Sequence, residues 1–483
     1  MTQYHVPLII RGKVIEGDEC TFGGRHGGAS FTTPDVGKHL AQLGLTTPSS
    51  MMDMYALRFD EVLDYLHGLG DKLAFERNPH MQQAFELSLA TSGLTEKILR
   101  YFYEVVGLAF QRDQVREVAE RSIGVRYLEG WVENKLNNGV TVAVRPFGAR
   151  AIHVTAGNIP TVAAMSIIRS VITRSDTIIK SPSNDPLTAT AIARTMIDMA
   201  PEHPLTRHLS VAYWKGGDAR IEQALYQPRN IEKIVAWGGL SSIKHIAQYI
   251  QPGIDLITLD PKLSSTIVGK AGFDSESTMQ EVAHGIARDA GMYNQETCTN
   301  ARVVYVQSGT GKEGIALANR LGELLWDAIR ALPPHLSSAA RHLDLALAEE
   351  IHALQMNRQW HKVIGGGLEG AVIVSQIDEP VDFARILANR VVNLVPFDDL
   401  DTPVRAVNAY TQTIGIYPPS LHDQLRDRLS LHGAQRLVTL GFAAVSMNHG
   451  LQDSIEPLRR MCRWIVNEKV DAGVIDANNV RPV

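Results

Sequence analysis

Between residues 150 and 260, five short runs rich in β-branched and apolar residues recur: 151–154, 177–180, 209–213, 233–237 and 255–259. They are separated by roughly 25 residues, a gap that holds one helix, which is the spacing of parallel strands joined by helical crossovers. A sheet wound this way fixes the architecture as α/β and excludes a hairpin-built β fold over this stretch. It also says where to look for function, because ligands of open parallel sheets lie beyond the carboxyl ends of the strands.

The flanking segments read differently. Residues 1–48 contain short strands such as Val6 to Ile10 and glycine pairs at Gly23-Gly24 and Gly27-Gly28, with a helix-start signal at Thr32-Thr33-Pro34. Residues 50–132 are rich in Leu, Met, Ala, Glu and Arg and predict a helical preface. Asn137-Asn138-Gly139, followed by Val140, Val142 and Val144, predicts a hairpin. A second α/β stretch begins near 266. Met279, Val282, Ala283, Ile286, Ala287 and Ala290 make one apolar helix stripe, with Ser277 and Gln280 as the expected capping box. Gly365-Gly366-Gly367 reads as a turn, since a strand and not a helix follows it. At 483 residues and 53.1 kDa the chain has room for two or three domains.

Charge and hydropathy exclude several partners. There are 47 basic and 52 acidic residues, and no run of five like charges that would suit nucleic acid. The longest charge-free run, 151–168, is broken by Gly157-Asn158-Ile159-Pro160, so no membrane span of about 20 apolar residues is expected. His5 and Arg11 interrupt any signal-like core, and a cytoplasmic protein is expected. The three cysteines, Cys20, Cys298 and Cys462, form no CxxC; neither a disulfide framework nor a metal site is expected.

Three places can carry chemistry. Cys298 falls on a tight loop between a helix and the strand at 301–306, among Asn294, Gln295, Glu296, Thr297 and Thr299. A thiol there is either a nucleophile or buried filler, the fate of most cysteines. Asn158 follows the first parallel strand and can offer its amide to a developing oxyanion, although Gly-Asn before Pro is also ordinary turn chemistry. Lys180 ends the second strand and can reach a ribose hydroxyl or a phosphate, or can simply be solvated. Gly238 and Gly239 follow the fourth strand and open a helix, an arrangement that receives phosphate; the sequence has no GxGxxG.

Taken in order, these elements resemble the aldehyde dehydrogenases over most of the chain. Gly157-Asn158-Ile159-Pro160 stands where that superfamily has Trp-Asn-Phe-Pro, Lys180-Ser181-Pro182-Ser183 resembles its Lys-Pro-Ser-Glu element, and Trp237-Gly238-Gly239 its Thr-Gly-Ser turn. Asn294 to Thr299 resembles its Gly-Gln-x-Cys loop, and Val395-Pro396-Phe397 its downstream catalytic-domain strand. The resemblance implies two doubly wound α/β domains, Cys298 as nucleophile and Asn158 as oxyanion donor. It also implies Thr155, Lys180, Ser183, Gly238 and Gly239 against a nicotinamide cofactor. The implied division is 1–265 for the preface and cofactor domain, with a hairpin at about 133–150, then 266–445 for the thiol-bearing domain and 446–483 for a returning tail. A homo-oligomer joined through hairpin and tail is implied as well.

The departures narrow the activity. Where hydrolytic members carry Glu-Leu-Gly-Gly, the sequence reads Leu259-Asp260-Pro261-Lys262, so the water-activating glutamate is missing, and no clear Glu-x-Phe-Gly-Pro-Val follows near Leu387 to Val392. One subfamily, the LuxC-type acyl-CoA reductases, shares these departures together with Val6 to Lys13, Arg145-Pro146-Phe147-Gly148 leading to His153, and Asn389-Arg390-Val391-Val392-Asn393. Membership implies NADPH-dependent reduction of a fatty acyl thioester, from CoA or an acyl carrier, to the aldehyde, and association with an acyl-transferring protein. Neutral Ser183, where NAD-preferring members carry an acid, favours NADPH, with NADH as second choice. His153 is read as a core residue before a proton relay. The competing readings are a hydrolytic aldehyde dehydrogenase using Asp260, an acyl phosphate reductase, and a non-catalytic subunit of a reductase complex.

Overall fold

The computed structural model describes residues 4–23, 29–45, 47–137, 140–259, 262–356, 359–445 and 449–469. The Gly24 and Gly27-Gly28 positions, the tip of the expected hairpin at Asn138-Gly139, and Asp260 lie outside the described residues.

Strands β1 (Leu8–Ile10) and β2 (Lys13–Ile15) pair antiparallel near the amino terminus. A separate small sheet joins Tyr4–His5, Glu19–Gly23 and Ser30–Pro34. The expected helix start at Thr32-Thr33-Pro34 is therefore corrected: both threonines are buried in a strand, where β-branched side chains pack well. The capping role passes to Asp35, whose carboxylate accepts from the Gly37 N–H at 2.9 Å.

The helical preface is present as α1 (Phe59–Lys72), α2 (Pro79–Thr91), α3 (Glu96–Val105) and α4 (Arg112–Ser122), with short turns between them. Their apolar faces share one core with the helices that cover the first large sheet. The Asn137 hairpin forms from β3 (Val132–Lys135) and β4 (Thr141–Phe147).

Strands β5 (Arg150–Val154), β6 (Asp176–Lys180), β7 (Leu209–Ala212), β8 (Lys233–Trp237) and β9 (Asp255–Leu259) are the five expected parallel strands. The sheet runs β9-β8-β5-β6-β7-β1-β2, with β1 and β2 antiparallel at one edge. Helices α5 (Thr161–Ile172) and α6 (Thr188–Met199) follow β5 and β6 and are buried on nearly every side, as expected between a sheet and the preface. Helix α7 (Leu240–Ala247) follows β8. The chain moves outward from β5 through β6 to β7 and then returns to place β8 on the other side of β5. This reversal puts the topological switch point, where such sheets take ligands, at the carboxyl ends of β5 and β8.

The second large sheet begins with β10 (Leu263–Val268) and continues with β11 (Ala301–Val306), β12 (His361–Gly365), β13 (Ala371–Ser375), β14 (Val391–Pro396), β15 (Thr411–Tyr417) and β16 (Arg436–Thr439). Its order is β12-β13-β14-β11-β10-β15-β16, parallel except for the β12–β13 hairpin turned by Gly365 to Gly367. Because β10 starts at Leu263, the expected boundary at 265/266 falls inside a strand.

Helix α8 (Glu276–Gly291) buries the predicted stripe, but its cap is Ser275 and not Ser277. Ser275 is extended and its Oγ accepts from the Thr278 N–H at 3.1 Å, so the helix begins earlier than Ser277 and Gln280 suggested. Helix α9 (Lys312–Arg330) packs beside α8. At the carboxyl end, β17 (Arg463–Glu468) pairs antiparallel with β4, so the tail returns to the hairpin.

Candidate active site

Cys298 lies on the loop between α8 and β11, at the amino end of the second sheet, facing the carboxyl ends of the first. The loop is held in an unusual shape. Tyr293, Asn294 and Gln295 have φ of 54°, 53° and 62°, left-handed values that cost side-chain-bearing residues energy and persist only where the surroundings enforce them. The enforcement is visible. Gln295 donates to the carbonyls of Ala301 and Val391, both at 3.0 Å, and accepts from the Val391 N–H at 3.0 Å. Asn294 Oδ1 accepts from the Ser338 N–H at 3.1 Å, and Asn300 Oδ1 accepts from the Thr297 N–H at 3.1 Å. Ser264 Oγ, from β10, donates to the Cys298 carbonyl at 2.7 Å.

The sulfur is also surrounded. Gln412, near the start of β15, directs Nε2 at Cys298 Sγ from 3.3 Å, and the same nitrogen donates to Asp453 Oδ1 at 2.6 Å. Burial is the main cause that pushes the Cys298 thiol up from its ordinary pKa, and the Asp453 carboxylate adds to it. The Gln412 amide, the residue's own backbone N–H and the Arg302 guanidinium act in the opposite direction. Arg302, two residues inside β11, donates from Nε to the Leu387 carbonyl at 2.8 Å and keeps a buried Nη1 without a protein partner. Such a site favours a thiol at rest, with donors placed to receive negative charge as it forms.

Asn158 is brought to this loop by the turn after β5. Its Nδ2 donates to the Glu296 carbonyl at 2.7 Å, while Oδ1 is buried without a partner. The turn is tight because Gly157 has no side chain: a Cβ there would lie 2.2 Å from Asn184 Oδ1 and 2.7 Å from Pro182 Cγ. Asn184 in turn donates to the Gly157 carbonyl at 2.9 Å.

Of the expected cofactor residues, Thr155, Lys180 and Ser183 lie at the ends of β5 and β6, and Gly238 and Gly239 follow β8, all at the carboxyl edge of the first sheet. Thr155 donates from Oγ1 to the Lys180 carbonyl at 3.1 Å. Lys180 is partly exposed, with Nζ 5.6 Å from the ring centre of Tyr213 and 5.8 Å from that of Trp214, and desolvation lowers its pKa to about 8. Ser183 lies in the turn after β6. Gly238 has φ of 148°, and around Gly239, which caps α7, a Cβ would meet nothing within 4 Å. Open space at a helix amino terminus, at the carboxyl edge of a parallel sheet, suits an anionic group such as the diphosphate of a dinucleotide.

The remaining candidates separate. Cys462 is buried, its thiol pushed up to about 12 by desolvation, and Cys20 lies on the small amino-terminal sheet. His153 is buried in β5 with a pKa pushed down to about 3 by desolvation and the nearby Arg169 charge, which keeps it neutral. No cluster of His, Cys, Asp and Glu suited to a metal occurs among the described residues, and no described helix is long and apolar enough to cross a membrane. Gln412, Asp453 and Arg302 were not anticipated. Gln412 is 114 residues from Cys298 along the chain, and only the parallel pairing of β10 with β15 brings it near.

A family model described as acyl-CoA reductase (LuxC) matches residues 54–464. The long-chain acyl-protein thioester reductase of Vibrio harveyi is 24% identical over 471 residues, covering 96% of this chain and 93% of that protein. The protein of the same description from Photorhabdus laumondii is 26% identical over 421 residues, covering 86% and 83%. Among solved structures, aldehyde dehydrogenase 21 of Physcomitrella patens superposes with a TM-score of 0.74 at 15% identity, covering 98% of this chain and all of that one. The NADP-dependent glyceraldehyde-3-phosphate dehydrogenase of Bacillus halodurans, solved with NADP, gives 0.73 at 15% identity, covering 97% and 99%. The fold is that of the aldehyde dehydrogenases.

Proposed function

The chain belongs to the LuxC acyl-CoA reductase family, and from that premise we propose that it reduces a fatty acyl thioester to the aldehyde with NADPH through an acyl-Cys298 intermediate. The carrying observation is the hydrogen bond from Asn158 to the Glu296 carbonyl, which brings the turn after β5 to the loop that carries Cys298. A second observation supports reduction over hydrolysis. Leu259, in the stretch that resembles the glutamate-bearing element, is buried and apolar and cannot activate water.

Cys298 as thiolate attacks the thioester carbonyl, the new C–S bond forms, and the bond to the carrier sulfur breaks with departure of the carrier thiolate, which takes up a proton. The oxyanion that develops is met by the Cys298 N–H and by the amide of Asn158, fixed through its bond to Glu296. Thr155, Lys180, Ser183, Gly238 and Gly239 would hold the nicotinamide nucleotide, which when bound would supply the hydride that reduces the acyl carbon. Collapse of the resulting thiohemiacetal expels Cys298 thiolate and releases aldehyde. No base for water is needed, since a thiolate is a good leaving group in both directions.

Acyl groups on a protein are favoured as donors by the names of the Vibrio harveyi and Photorhabdus laumondii relatives, with acyl-CoA as the accessible surrogate. The neutral hydroxyl of Ser183 supports NADPH over NADH. Trp131, Leu136, Ile465 and Val466 are exposed on the β3–β4–β17 sheet and support its use as a contact between copies of the chain. The test is oxidation of NADPH with acyl thioesters of graded chain length, on CoA and on acyl carrier protein, with Cys298→Ala as control. Aldehyde formed in step with NADPH loss, and abolished in the variant, is expected. Absence of any Cys298-dependent oxidation overturns the proposal.

A further inference from the structure

The segment before the last strand reaches back over the nucleophile. Gln452 and Ile455 pair across a tight bend in which Asp453 and Ser454 have φ of 52° and 62°, left-handed values that hold the Asp453 carboxylate toward the site. Arg169, on α5 of the first sheet's layer, donates to Gln452 Oε1 at 2.6 Å and lies 5.2 Å from the Trp237 ring centre. The bend is thus clamped to one domain while Asp453 engages Gln412 of the other.

The carboxamide of Gln412 has only two N–H groups, both on Nε2. That nitrogen is 2.6 Å from Asp453 Oδ1 and 3.3 Å from Cys298 Sγ, so one N–H serves each. Gln412 is 5% exposed, and its Oε1 has no protein partner among the described residues. Asp453 sets the orientation of this amide, because an amide turned the other way would place oxygen against a carboxylate.

We propose that Asp453 is a positioning residue for the nucleophile: it fixes the Gln412 carboxamide so that one N–H is permanently aimed at Cys298 Sγ, and the C-terminal segment thereby completes the active site. This rests on Cys298 being the nucleophile. Gln412 is then a catalytic residue, stabilising the thiolate as it attacks and again when it is expelled. The charge of Asp453 has a second effect of opposite sign, since a carboxylate near the sulfur disfavours thiolate. The other charged groups that act on the sulfur are Arg302 from β11 and Arg436 from β16, with Glu296 of the loop acting on Arg302, and they are common to every variant compared below.

The two effects can be separated by the pH dependence of Cys298 alkylation with iodoacetamide, followed by mass spectrometry on the full-length protein. This reaction needs neither thioester nor cofactor. Asp453→Asn keeps an acceptor for Gln412 and removes the charge, so alkylation at neutral pH should quicken, by up to about tenfold, with its midpoint moved to lower pH. Gln412→Ala removes the donor, so alkylation should slow by a comparable factor and the midpoint should move up. Gln412→Glu, which conserves shape and places an acid at the sulfur, should shift the midpoint upward as well and serves if the alanine variant unfolds. Opposed shifts for Asp453→Asn and Gln412→Ala, with Asp453→Ala, which loses the acceptor as well as the charge, alkylating more slowly than Asp453→Asn, support the proposal. Unchanged midpoints, or shifts of the same sign, overturn it. If the thiol behaves as proposed yet no thioester drives Cys298-dependent NADPH oxidation, the positioning role stands and the reductase reading fails.

Discussion

The side-chain amide of Asn158 donates to the main-chain oxygen of Glu296 at 2.7 Å, and that bond ties the turn after β5 to the loop that carries Cys298. It joins the carboxyl edge of one parallel sheet to the amino edge of the other. One N–H of the amide is engaged by Glu296, and the second is the one that the proposed reaction assigns to the oxyanion. The carbonyl of Glu296 also fixes which end of the amide faces the loop, since Oδ1 in that place would set two acceptors against each other.

Asn158→Ala should therefore lower kcat by about 10²–10³, the effect of losing one oxyanion donor, while Cys298 remains open to a small alkylating reagent. Asn158→Asp should be worse in turnover, because a carboxylate would oppose both the Glu296 carbonyl and the developing charge. Steady-state reduction of a saturating acyl thioester, beside alkylation rates for the same variants, separates loss of charge stabilisation from loss of the thiol. A kcat for Asn158→Ala within threefold of the parent removes Asn158 from this role.

Gly157 sets the position of that asparagine. A methyl at Gly157 would lie 2.2 Å from Asn184 Oδ1 and 2.7 Å from Pro182 Cγ, closer than real Cβ contacts, so the turn must move. Gly157→Ala should reduce kcat at least about tenfold, since displacements near 1 Å at a reacting centre cost this much or more. Asn184→Ala in the same chain removes the nearest clashing atom and should restore part of the loss. No restoration in the double variant would mean that the turn is not the cause.

Much of this site is legible along the sequence because its parts lie at strand ends. Thr155 and Asn158 follow β5, Lys180 ends β6 and Gly238 follows β8; the period of the strands points to those places, and the family resemblance implies the roles. The amphipathic helix that ends before Cys298 places it on a loop, and the resemblance implies that it is the nucleophile. The unanticipated residues are those supplied by pairing between distant strands. Gln412 is an ordinary polar residue at the start of a strand, and its meaning appears only when β15 lies beside β10 and the tail bends back with Asp453. Local signals failed where tertiary packing outweighed them. Thr32-Thr33-Pro34 reads as a helix start yet is drawn into a strand, and Ser277 reads as a cap although Ser275 takes the role.

Lys180 carries a pH dependence that can be checked without turnover. Desolvation lowers its pKa to about 8, so it is a cation below that pH and neutral above it. Only the cation attracts a phosphate. Affinity for NADPH should be level below pH 7 and weaken as pH rises through about 8, with the effect absent in Lys180→Met. Titration of nicotinamide fluorescence at pH 6.5 to 9.5 measures this. Equal pH profiles for the parent and the variant would place Lys180 away from the cofactor.

Asp185 offers the last prediction, on stability. Its carboxyl is buried where the preface meets α6, and Oδ1 accepts from the Thr188 N–H and from Ser88 Oγ, both at 3.4 Å. Desolvation outweighs those bonds and raises the folded-state pKa to about 6, against an ordinary 3.8. The sign follows from proton linkage. Between pH 3.8 and about 6 the folded protein binds a proton at Asp185 that the unfolded chain has lost, so the stability this group contributes is full below pH 3.8 and is lost as pH rises through about 6. Asp185→Asn keeps an oxygen for Ser88 and Thr188 and has no proton to lose. Relative to the parent, the variant should gain stability as pH increases from 4 to 7, by about 3 kcal/mol at most, and the difference should level off above pH 7. Thermal-unfolding midpoints of the two proteins, taken across that range, test it: a difference that does not change with pH would mean that the carboxyl is ionised in the folded protein throughout and that its hydrogen bonds, not its burial, set its charge.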